Sequence, residues 1–552
     1  MPIYLDIRGA HNMKNRSFYT LKYLLILYLS ATVLLPIVVL FSTIRTEHIR
    51  EIFSAAQFLP MLFNSVVTTL AATVISVIIA FALAFAINRS RIKYKTVWVV
   101  LFTVPMLIPS ISHGMGLVLL FGDNGIITNL LGLNIGLYGY LGIILGSVLY
   151  SFPVAFLLFY DSFRYEDYTI YEAASVLGLS KTRQFIKITI PAMKQTIVSA
   201  VLSVFTMVFT DYGVPLMTGG TAMTLPVYMY REVIGGLNFS GGAVVGVVLL
   251  LPAVIAFLID LKKSSSVSTA STVTKPYNIT ENKLRDLLVY TLFVITLFLL
   301  CLPIMAFVCL SFVKQYPLDM SFSLDNFKKL LDGNIIMSLI NSLAIALLTA
   351  LVGTAFSYFS AYVCARSKKK MTDQILHFIS MLSLAIPGIV LGLSFVLSFK
   401  STPIYATLYI LVAANITHFF SSPYLLAYNS LLKFNHNLED VASTLGISRM
   451  RMLLSVYIPS TRDTLFEMYS YYFVNAMITI SAVSFLITFK TTPMSLMIPQ
   501  LESQSFVEGT AIVSLMILML NLIEKGIAFF ARRHLAIKAL NPPVYKERKT
   551  RK

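Results

Sequence analysis

Twelve stretches of this chain stay apolar for about the thickness of a bilayer, and few folds accommodate that. A helix needs roughly 20 apolar residues to cross the hydrocarbon core. Runs of that kind occupy 21–44, 62–87, 97–121, 140–160, 196–217, 240–260, 286–312, 337–363, 374–399, 405–430, 463–489 and 507–531. With no water in the core, a spanning segment must pair its own N–H and C=O groups, which an uninterrupted apolar run does only as a helix. Barrel strands are shorter and alternate in polarity. The expected fold is an all-α polytopic membrane protein with twelve transmembrane helices. A soluble fold is excluded by composition, since 57% of residues are hydrophobic and only 12% charged, beyond the usual range of a globular chain. Cys301, Cys309 and Cys364 lie in or beside apolar runs, so neither a disulfide framework nor a thiolate metal site is indicated. The first run follows Arg8, Lys14 and Arg16, but it is too long for a signal-peptide core and lacks a small-residue cleavage site, so it is expected to be retained.

Lys and Arg collect in loops that stay on the cytoplasmic side. With the amino terminus inside, that side carries Arg89, Arg91, Lys93, Lys95, Arg164, Lys181, Arg183, Lys187, Lys194 and the group from Lys262 to Arg285. In the second half it carries Arg366, Lys368, Lys369, Lys370, Lys433, Arg449, Arg451, Arg462 and a tail ending KERKTRK. Only Arg45, Arg50, Arg231, Lys314, Lys328, Lys329, Lys400 and Lys490, 8 of the 43 basic residues, fall outside. Both termini are therefore expected in the cytoplasm. This asymmetry, with attraction to anionic membrane lipid, accounts for the net charge of +18, and nucleic acid is not an expected partner.

One segment breaks the apolar pattern. LKKSSSVSTASTVTKPYNITENK, Leu261 to Lys283, is Ser/Thr-rich and charged and reads as a cytoplasmic linker. The expected division is a first six-helix half at 1–260, the linker at 261–285, and a second half with its basic tail at 286–552. The halves match. Asn64-Ser65 pairs with Asn341-Ser342 at a shift of 277, and Ile108-Pro109 with Ile386-Pro387 at 278. Tyr160-x-Ser162 and Tyr428-x-Ser430, Ala174-Ser175-x-Leu177-Gly178 and Ala442-Ser443-x-Leu445-Gly446, and Ile190-Pro191 and Ile458-Pro459 pair at 268. The register changes where the first half has the long loop FGDNGIITNLLGLNIGLYG and the second only KSTPIY. A slip confined to one loop marks a duplication, and six spans per copy make the repeat parallel.

The two matched polar loops between the fourth and fifth spans of each half, YEAASVLGLSKTRQFIKITIP and EDVASTLGISRMRMLLSVYIP, carry their own local instructions. Thr169-x-x-Glu172 and Asn437-x-x-Asp440 are expected to cap a short helix, Gly178 and Gly446 to stop it in a left-handed turn, and Ser180 and Ser448 to cap a second, basic helix ending at Pro191 and Pro459. Small residues at Ala173, Ala174 and Ser175, matched by Val441, Ala442 and Ser443, leave a surface that another protein can approach closely.

The pattern E-A-A, three residues, G, nine residues, I-x-L-P resembles the cytoplasmic loop of binding-protein-dependent ABC importer permeases. Here it reads Glu172-Ala173-Ala174, Gly178, Ile188-Thr189-Ile190-Pro191, with Ile for Leu. In the second copy Asp440, Val441 and Val456 replace the Glu, first Ala and Ile. The resemblance covers nearly the whole chain as a fused pair of permease subunits, similar to the ferric iron, thiamine and 2-aminoethylphosphonate importers, and implies the type I importer permease fold. It implies that each loop is a coupling helix seated on a separate ATP-binding subunit, present in two copies. It further implies an extracytoplasmic binding protein that delivers solute, and a place in the bacterial cytoplasmic membrane. The coupling residues carried over are Glu172, Ala173, Ala174, Gly178, Arg183, Pro191, Asp440, Ala442, Gly446, Arg451 and Pro459. Glu172 also reads as an ordinary acid at a helix N-terminus, and Arg183 and Arg451 as solvated charge. The chain has no G-x-x-x-x-G-K-[ST] phosphate loop. It is thus expected not to be an enzyme and to bind no cofactor, with ATP and Mg used by the partner subunit.

Polar groups inside spans are costly and mark either a pathway or helix-to-helix hydrogen bonds. The candidates are Asn64, His113, Asp211, Asn341, His418 and Asn475, and among prolines Pro105, Pro109, Pro153, Pro387 and Pro423, with Pro109 and Pro387 repeated. The run FTDYGVPLMTGG around Asp211 resembles the aminoethylphosphonate importers more than the ferric ones, which makes a phosphonate the expected solute and ferric iron or thiamine the alternatives. A carrier driven by an ion gradient, the reading from another class, is expected to show an acidic-arginine signature after its second span, where this chain has NRSRIKYK. A membrane-embedded enzyme lacks any cluster of His, Asp or Cys at ligand spacing.

Overall fold

The computed structural model describes residues 16–132, 134–264, 275, 277–367, 371–435 and 437–540. Arg8, Lys14, linker residues 265–274 and 276, Lys368 to Lys370 and the KERKTRK tail lie outside that set. Each of the twelve apolar runs contains a helix. Among the described residues, eight helices are long and apolar enough to cross a membrane unaided. Three further spans are bent pairs: Lys181–Ala192 with Lys194–Phe209 (61°), Met371–Ala385 with Gly388–Phe399 (113°), and Leu408–His418 with Ser421–Leu432 (52°). The run expected at 463–489 is helical only over Arg462–Ile478, 17 residues, and continues as loop to the helix Met494–Ser503. Hydroxyl side chains explain the stop, because they offer the backbone partners other than the next helical turn. Thr488 N–H donates to Thr491 Oγ1 at 2.9 Å, Thr492 Oγ1 to Thr488 O at 2.9 Å and Ser495 Oγ to Thr479 O at 2.8 Å.

The repeated Ile-Pro pairs break the third span of each half. Proline forces the preceding residue out of the helical region, and Ile108 (φ −120°, ψ 151°) and Ile386 (φ −109°, ψ 110°) are both extended. Pro109 and Pro387 then sit at the N-caps of Ser110–Phe121 and Gly388–Phe399. Carbonyls released by the first break find side chains, Pro105 O meeting His113 Nε2 at 3.1 Å and Leu107 O accepting from Asn521 Nδ2 at 2.8 Å.

The halves are consecutive in sequence but not separate in space, for each lends its first helix to the other. Phe18, near the start of the first helix, packs on Phe359 and Tyr362 of the second half, and Lys22 makes a buried ion pair with Asp373. Reciprocally, Phe293 of the helix Lys283–Ser311 packs on Trp98 and Phe102, and Lys93 N–H donates to Tyr290 OH at 2.8 Å. The lent helices remain peripheral: Leu284, Leu287, Leu288, Val294 and Phe298 are exposed, as lipid-facing residues are. A short antiparallel hairpin, Val313–Gln315 with Asp319–Phe322, and the helix Asp325–Asp332 cover the opposite face from the two polar loops.

Candidate coupling loops and solute path

The two polar loops have one architecture, repeated element for element at a shift of 268. Thr169–Val176, Lys181–Gln184, the π turn Phe185–Thr189 and Ile190–Ala192 correspond in place and length to Asn437–Thr444, Arg449–Met452, Leu453–Tyr457 and Ile458–Ser460. Gly178 (φ +76°) and Gly446 (φ +66°) take the left-handed conformation that ends a helix. The turn closes when Leu179 N–H donates to Ala174 O at 3.0 Å and Ile447 N–H to Ala442 O at 2.8 Å. Ser180 Oγ and Ser448 Oγ cap the second helix, accepting from Arg183 N–H and Arg451 N–H at 3.4 and 3.3 Å.

The expected capping of the first helix is corrected by two residues. Thr169 and Asn437 are already helical, and the turn acceptors are Asp167 and Asn435. Asp167 Oδ1 accepts from Thr169 N–H (3.0 Å) and the Thr169 hydroxyl (2.8 Å), and Asn435 Oδ1 from Asn437 N–H (3.0 Å). The two Thr169 donors hold the Asp167 carboxyl below the ordinary carboxylate range. Ala174 and Ala442 face inward and are buried, whereas Ala173 and Asp440 are exposed. Arg183, Arg451, Pro191 and Pro459 are exposed too. At the tip of each loop Leu177 and Leu445 project, 77% and 69% exposed. Glu172 is half-buried and takes Lys275 Nζ of the linker at 2.6 Å.

Each loop is anchored by an arginine that the motif does not contain. The second span of each half is a 32-residue helix, Phe58–Arg89 and Ile335–Arg366, ending on arginine at the same shift of 277 as the Asn-Ser pairs. Arg366 Nε and Nη2 donate to the two carboxylate oxygens of Glu439 in the loop helix, both at 2.6 Å. Arg366 also donates to Phe434 O and Asn435 O at 2.7 Å each and to Tyr457 OH at 3.1 Å. Arg89 Nη2 pairs with Glu166 at 2.5 Å, and its guanidinium lies 3.2 Å from the ring centre of Tyr277 in the linker. Tyr171 OH bonds both Glu166 and Thr189 Oγ1. The matching arginines at the ends of two matched helices were a legible signal, but the two acids are not at equivalent positions.

The in-membrane candidates find hydrogen-bond partners inside the protein except His418, whose Nδ1 is buried without one among the described residues. Asn64 Nδ2 donates to Met223 O (3.0 Å) and Asn341 Nδ2 to Lys490 O (2.8 Å), while the adjacent hydroxyls Ser65 and Ser342 accept from Leu225 N–H and Met494 N–H at 2.8 and 2.7 Å. The repeated Asn-Ser pair thus clamps the chain returning from the far face. Asn475 Nδ2 donates to Tyr471 O one turn back at 2.8 Å. Asp211 bridges the break after Lys194–Phe209, Oδ1 accepting from Ser110 Oγ (2.6 Å) and Oδ2 from Val214 N–H (2.9 Å). Next to it Tyr212 OH meets Ser484 Oγ of the other half at 2.7 Å, and its ring stacks on Tyr230. His418 is buried at the bend of its span, facing Gly388. Asp211 and His113 thus flank the break of the third span at Ser110, whereas Asn64 and Asn341 belong to loop clamps. Among the described residues no three His, Cys, Asp or Glu side chains converge as a metal-holding group.

On the face away from the loops, two cavities of 710 and 410 Å³ share Ile487, Gln500 and Ser503. The smaller is lined from both halves, by Met217, Tyr230 and Arg231 on one side and Ser484, Leu496 and Glu502 on the other. Of that lining, Tyr230 stacks on Tyr212 and Ser484 bonds the Tyr212 hydroxyl.

The chain matches the family described as "Binding-protein-dependent transport system inner membrane component" twice, over residues 72–261 and 353–533. Both matches begin after the lent first helix. The chain is 24% identical over 467 residues to the ferric transport system permease protein of Actinobacillus pleuropneumoniae, covering 81% of this chain and 68% of that protein. It is 23% identical over 342 residues to the thiamine transport system permease protein of Escherichia coli, 60% of this chain and 62% of that protein. A spermidine/putrescine transport system permease homologue of Mycoplasma pneumoniae is 29% identical over 206 residues, 37% of this chain and 68% of that protein, so it corresponds to a single half. These matches set aside the ion-gradient carrier. With the family match repeated and a matched loop in each copy, the chain belongs to the binding-protein-dependent ABC importer permeases as a duplicated, multi-pass inner-membrane subunit.

Proposed function

We propose that the chain is the whole translocation pathway of an importer for ferric iron, moving the ion between its halves by alternating access. The supporting observation is the pair of loops of matching architecture with Leu177 and Leu445 exposed at their tips. Two copies of a separate ATP-binding subunit dock there, one per loop, and hydrolyse ATP with Mg. Glu172 to Ala174, Gly178, Arg183 and Pro191, with Asp440, Ala442, Gly446, Arg451 and Pro459, form the docking surface. The loop face and both termini are cytoplasmic, as the Lys and Arg distribution requires. A binding protein delivers solute to the opposite face, above the two linked cavities, and the Tyr212, Tyr230 and Ser484 cluster closes the path beneath it.

Ferric iron rests on the relative matched over 81% of the chain. The sequence reading put a phosphonate first on the FTDYGVPLMTGG run, with ferric iron or thiamine as the alternatives, and the ferric and thiamine relatives favour those alternatives. Asp211, His113 and Asn475 remain the candidates for contact with solute at the broken spans. The test is uptake of radiolabelled iron, thiamine and aminoethylphosphonate by cells with and without the chain. Loss of iron uptake alone supports the proposal, and loss of either other solute alone replaces it.

A further inference from the structure

Resting on the coupling reading above, we infer that Arg89 and Arg366 are positioning residues that transmit movement of each loop into the second span of its half. Each arginine ends a 32-residue helix that runs the full depth of the protein. Each guanidinium is buried, Arg366 with its side chain 1% exposed and Arg89 9%. An unpaired charge in such a place is costly, so the arginine stays bound to the loop wherever the loop goes.

The two nodes join the same three elements with different residues. In the second half the acid is Glu439 within the loop helix and the phenol is Tyr457 at the end of the π turn. In the first half the position of Glu439 is held by Tyr171 and that of Tyr457 by Thr189, and the acid moves to Glu166 just before the loop helix. Arginine, carboxylate and phenol are all kept while two of them change place. In each node the span end, the loop helix and the segment entering the fifth span are tied together, through Arg366, Glu439 and Tyr457 or through Arg89, Glu166, Tyr171 and Thr189. A loop pushed by a partner on its exposed tip cannot move without displacing the end of the second span. Gln57 and Asn334, at the far ends of the two helices, move in consequence, and Asn334 lines the larger outer cavity.

The test uses the full chain with its ATP-binding subunit in proteoliposomes, with Cys301, Cys309 and Cys364 replaced by serine and a single N334C or Q57C introduced. Labelling by a membrane-impermeant maleimide is read per assembled complex, nucleotide-free against trapped with MgATP and orthovanadate. The background proteins should change labelling rate by about tenfold between states, in the usual range of coupling between sites. Lysine keeps the charge but cannot make the two-pronged contact, so R366K should reduce the change at N334C to less than about threefold, and R89K the change at Q57C, with assembly retained. If both variants respond like the background, or if R366K loses response only in proportion to lost complex, the arginines are structural and the inference is overturned. If the background itself fails to recruit an ATP-binding subunit or shows no change, the coupling reading fails first.

Discussion

The two polar loops share every element length, yet they are held in different ways, and the difference separates what the fold needs from what each half has improvised. The second loop is held from within its own half. Arg366 reaches the carboxylate of Glu439, the backbone carbonyls of Leu431, Phe434 and Asn435 and the Tyr457 hydroxyl, and all of these lie between Leu431 and Tyr457. The first loop leans on the linker. Arg89 has one carboxylate partner and a stacked Tyr277, Tyr168 N–H donates to Lys275 O at 3.0 Å, and Lys275 pairs with Glu172. Arg89 Nη1 is buried without an acceptor among the described residues. One node is therefore saturated and self-contained, the other incomplete without a segment from outside its half.

The strongest way to break this comparison is to remove both guanidinium groups. R366M strands Glu439 and removes the side-chain donor to the Phe434 carbonyl, and it should cost about 3–5 kcal/mol of stability, the usual penalty for breaking a buried ion pair. R89M should cost clearly less, because Tyr277 and Tyr171 still pack and one N–H was already without a partner. Thermal unfolding of the two variants in detergent measures the gap. Equal losses would mean that the linker contributes nothing to the first node.

The glycine turns sharpen the comparison from the other side, because there the halves should not differ. No atom lies within 4 Å of a Cβ built on Gly178, so a side chain there meets no obstacle and the cost is conformational alone. G178A and G446A should each cost about 1 kcal/mol and the valine variants about 2, while asparagine, which tolerates the left-handed region, stays near wild type. Retained ATP-dependent uptake in G178V would count heavily against the loop as the coupling element.

The same two loops show what could be read from sequence. Glycine stops, serine caps and the Ile-Pro breaks were legible because each acts on its own backbone within a few residues, and the repeat supplied every one of them twice. The first helix caps were misplaced by two residues because a Thr-x-x-Glu pattern and an Asp-x-Thr turn overlap in the same stretch, and the turn acceptor competes for the first free N–H. The exchanged first helices were invisible, since an apolar helix is equally apolar against either half. The Arg366 and Glu439 pair, 73 residues apart, carries no local mark beyond an arginine at the end of each matched helix. The end of the eleventh run was over-read for a related reason: its residues are apolar enough to span, but the hydroxyls between Thr479 and Thr492 bond their own backbone.

A smaller effect tests whether the linker positions the first loop or merely lies on it. Lys275 and Glu172 are 54% and 42% exposed, so their attraction is largely screened, and K275A should cost less than about 1 kcal/mol and vanish at high salt. Y277A should cost more, because it uncovers the guanidinium of Arg89 and the ring of Tyr171 together. If K275A proves the more damaging, the linker acts by charge, and Glu172 is presented to the partner already neutralised.

The smallest expected effect is the most discriminating about the repeat itself. Asp167 and Asn435 occupy equivalent positions, and each accepts from the N–H two residues on at 3.0 Å. The first half adds the Thr169 hydroxyl and Lys275 N–H as donors to the same oxygen, which explains a carboxylate there and its lowered pKa, but an amide oxygen can take all three. D167N should therefore leave both uptake and thermal stability unchanged at neutral pH. Below 3.8, the ordinary Asp value, the depressed carboxyl would make wild type lose stability as pH falls while D167N does not. A loss at neutral pH would mean that the negative charge at the root of the first loop acts on something beyond its own turn, and that the two roots, alike in geometry, are not interchangeable.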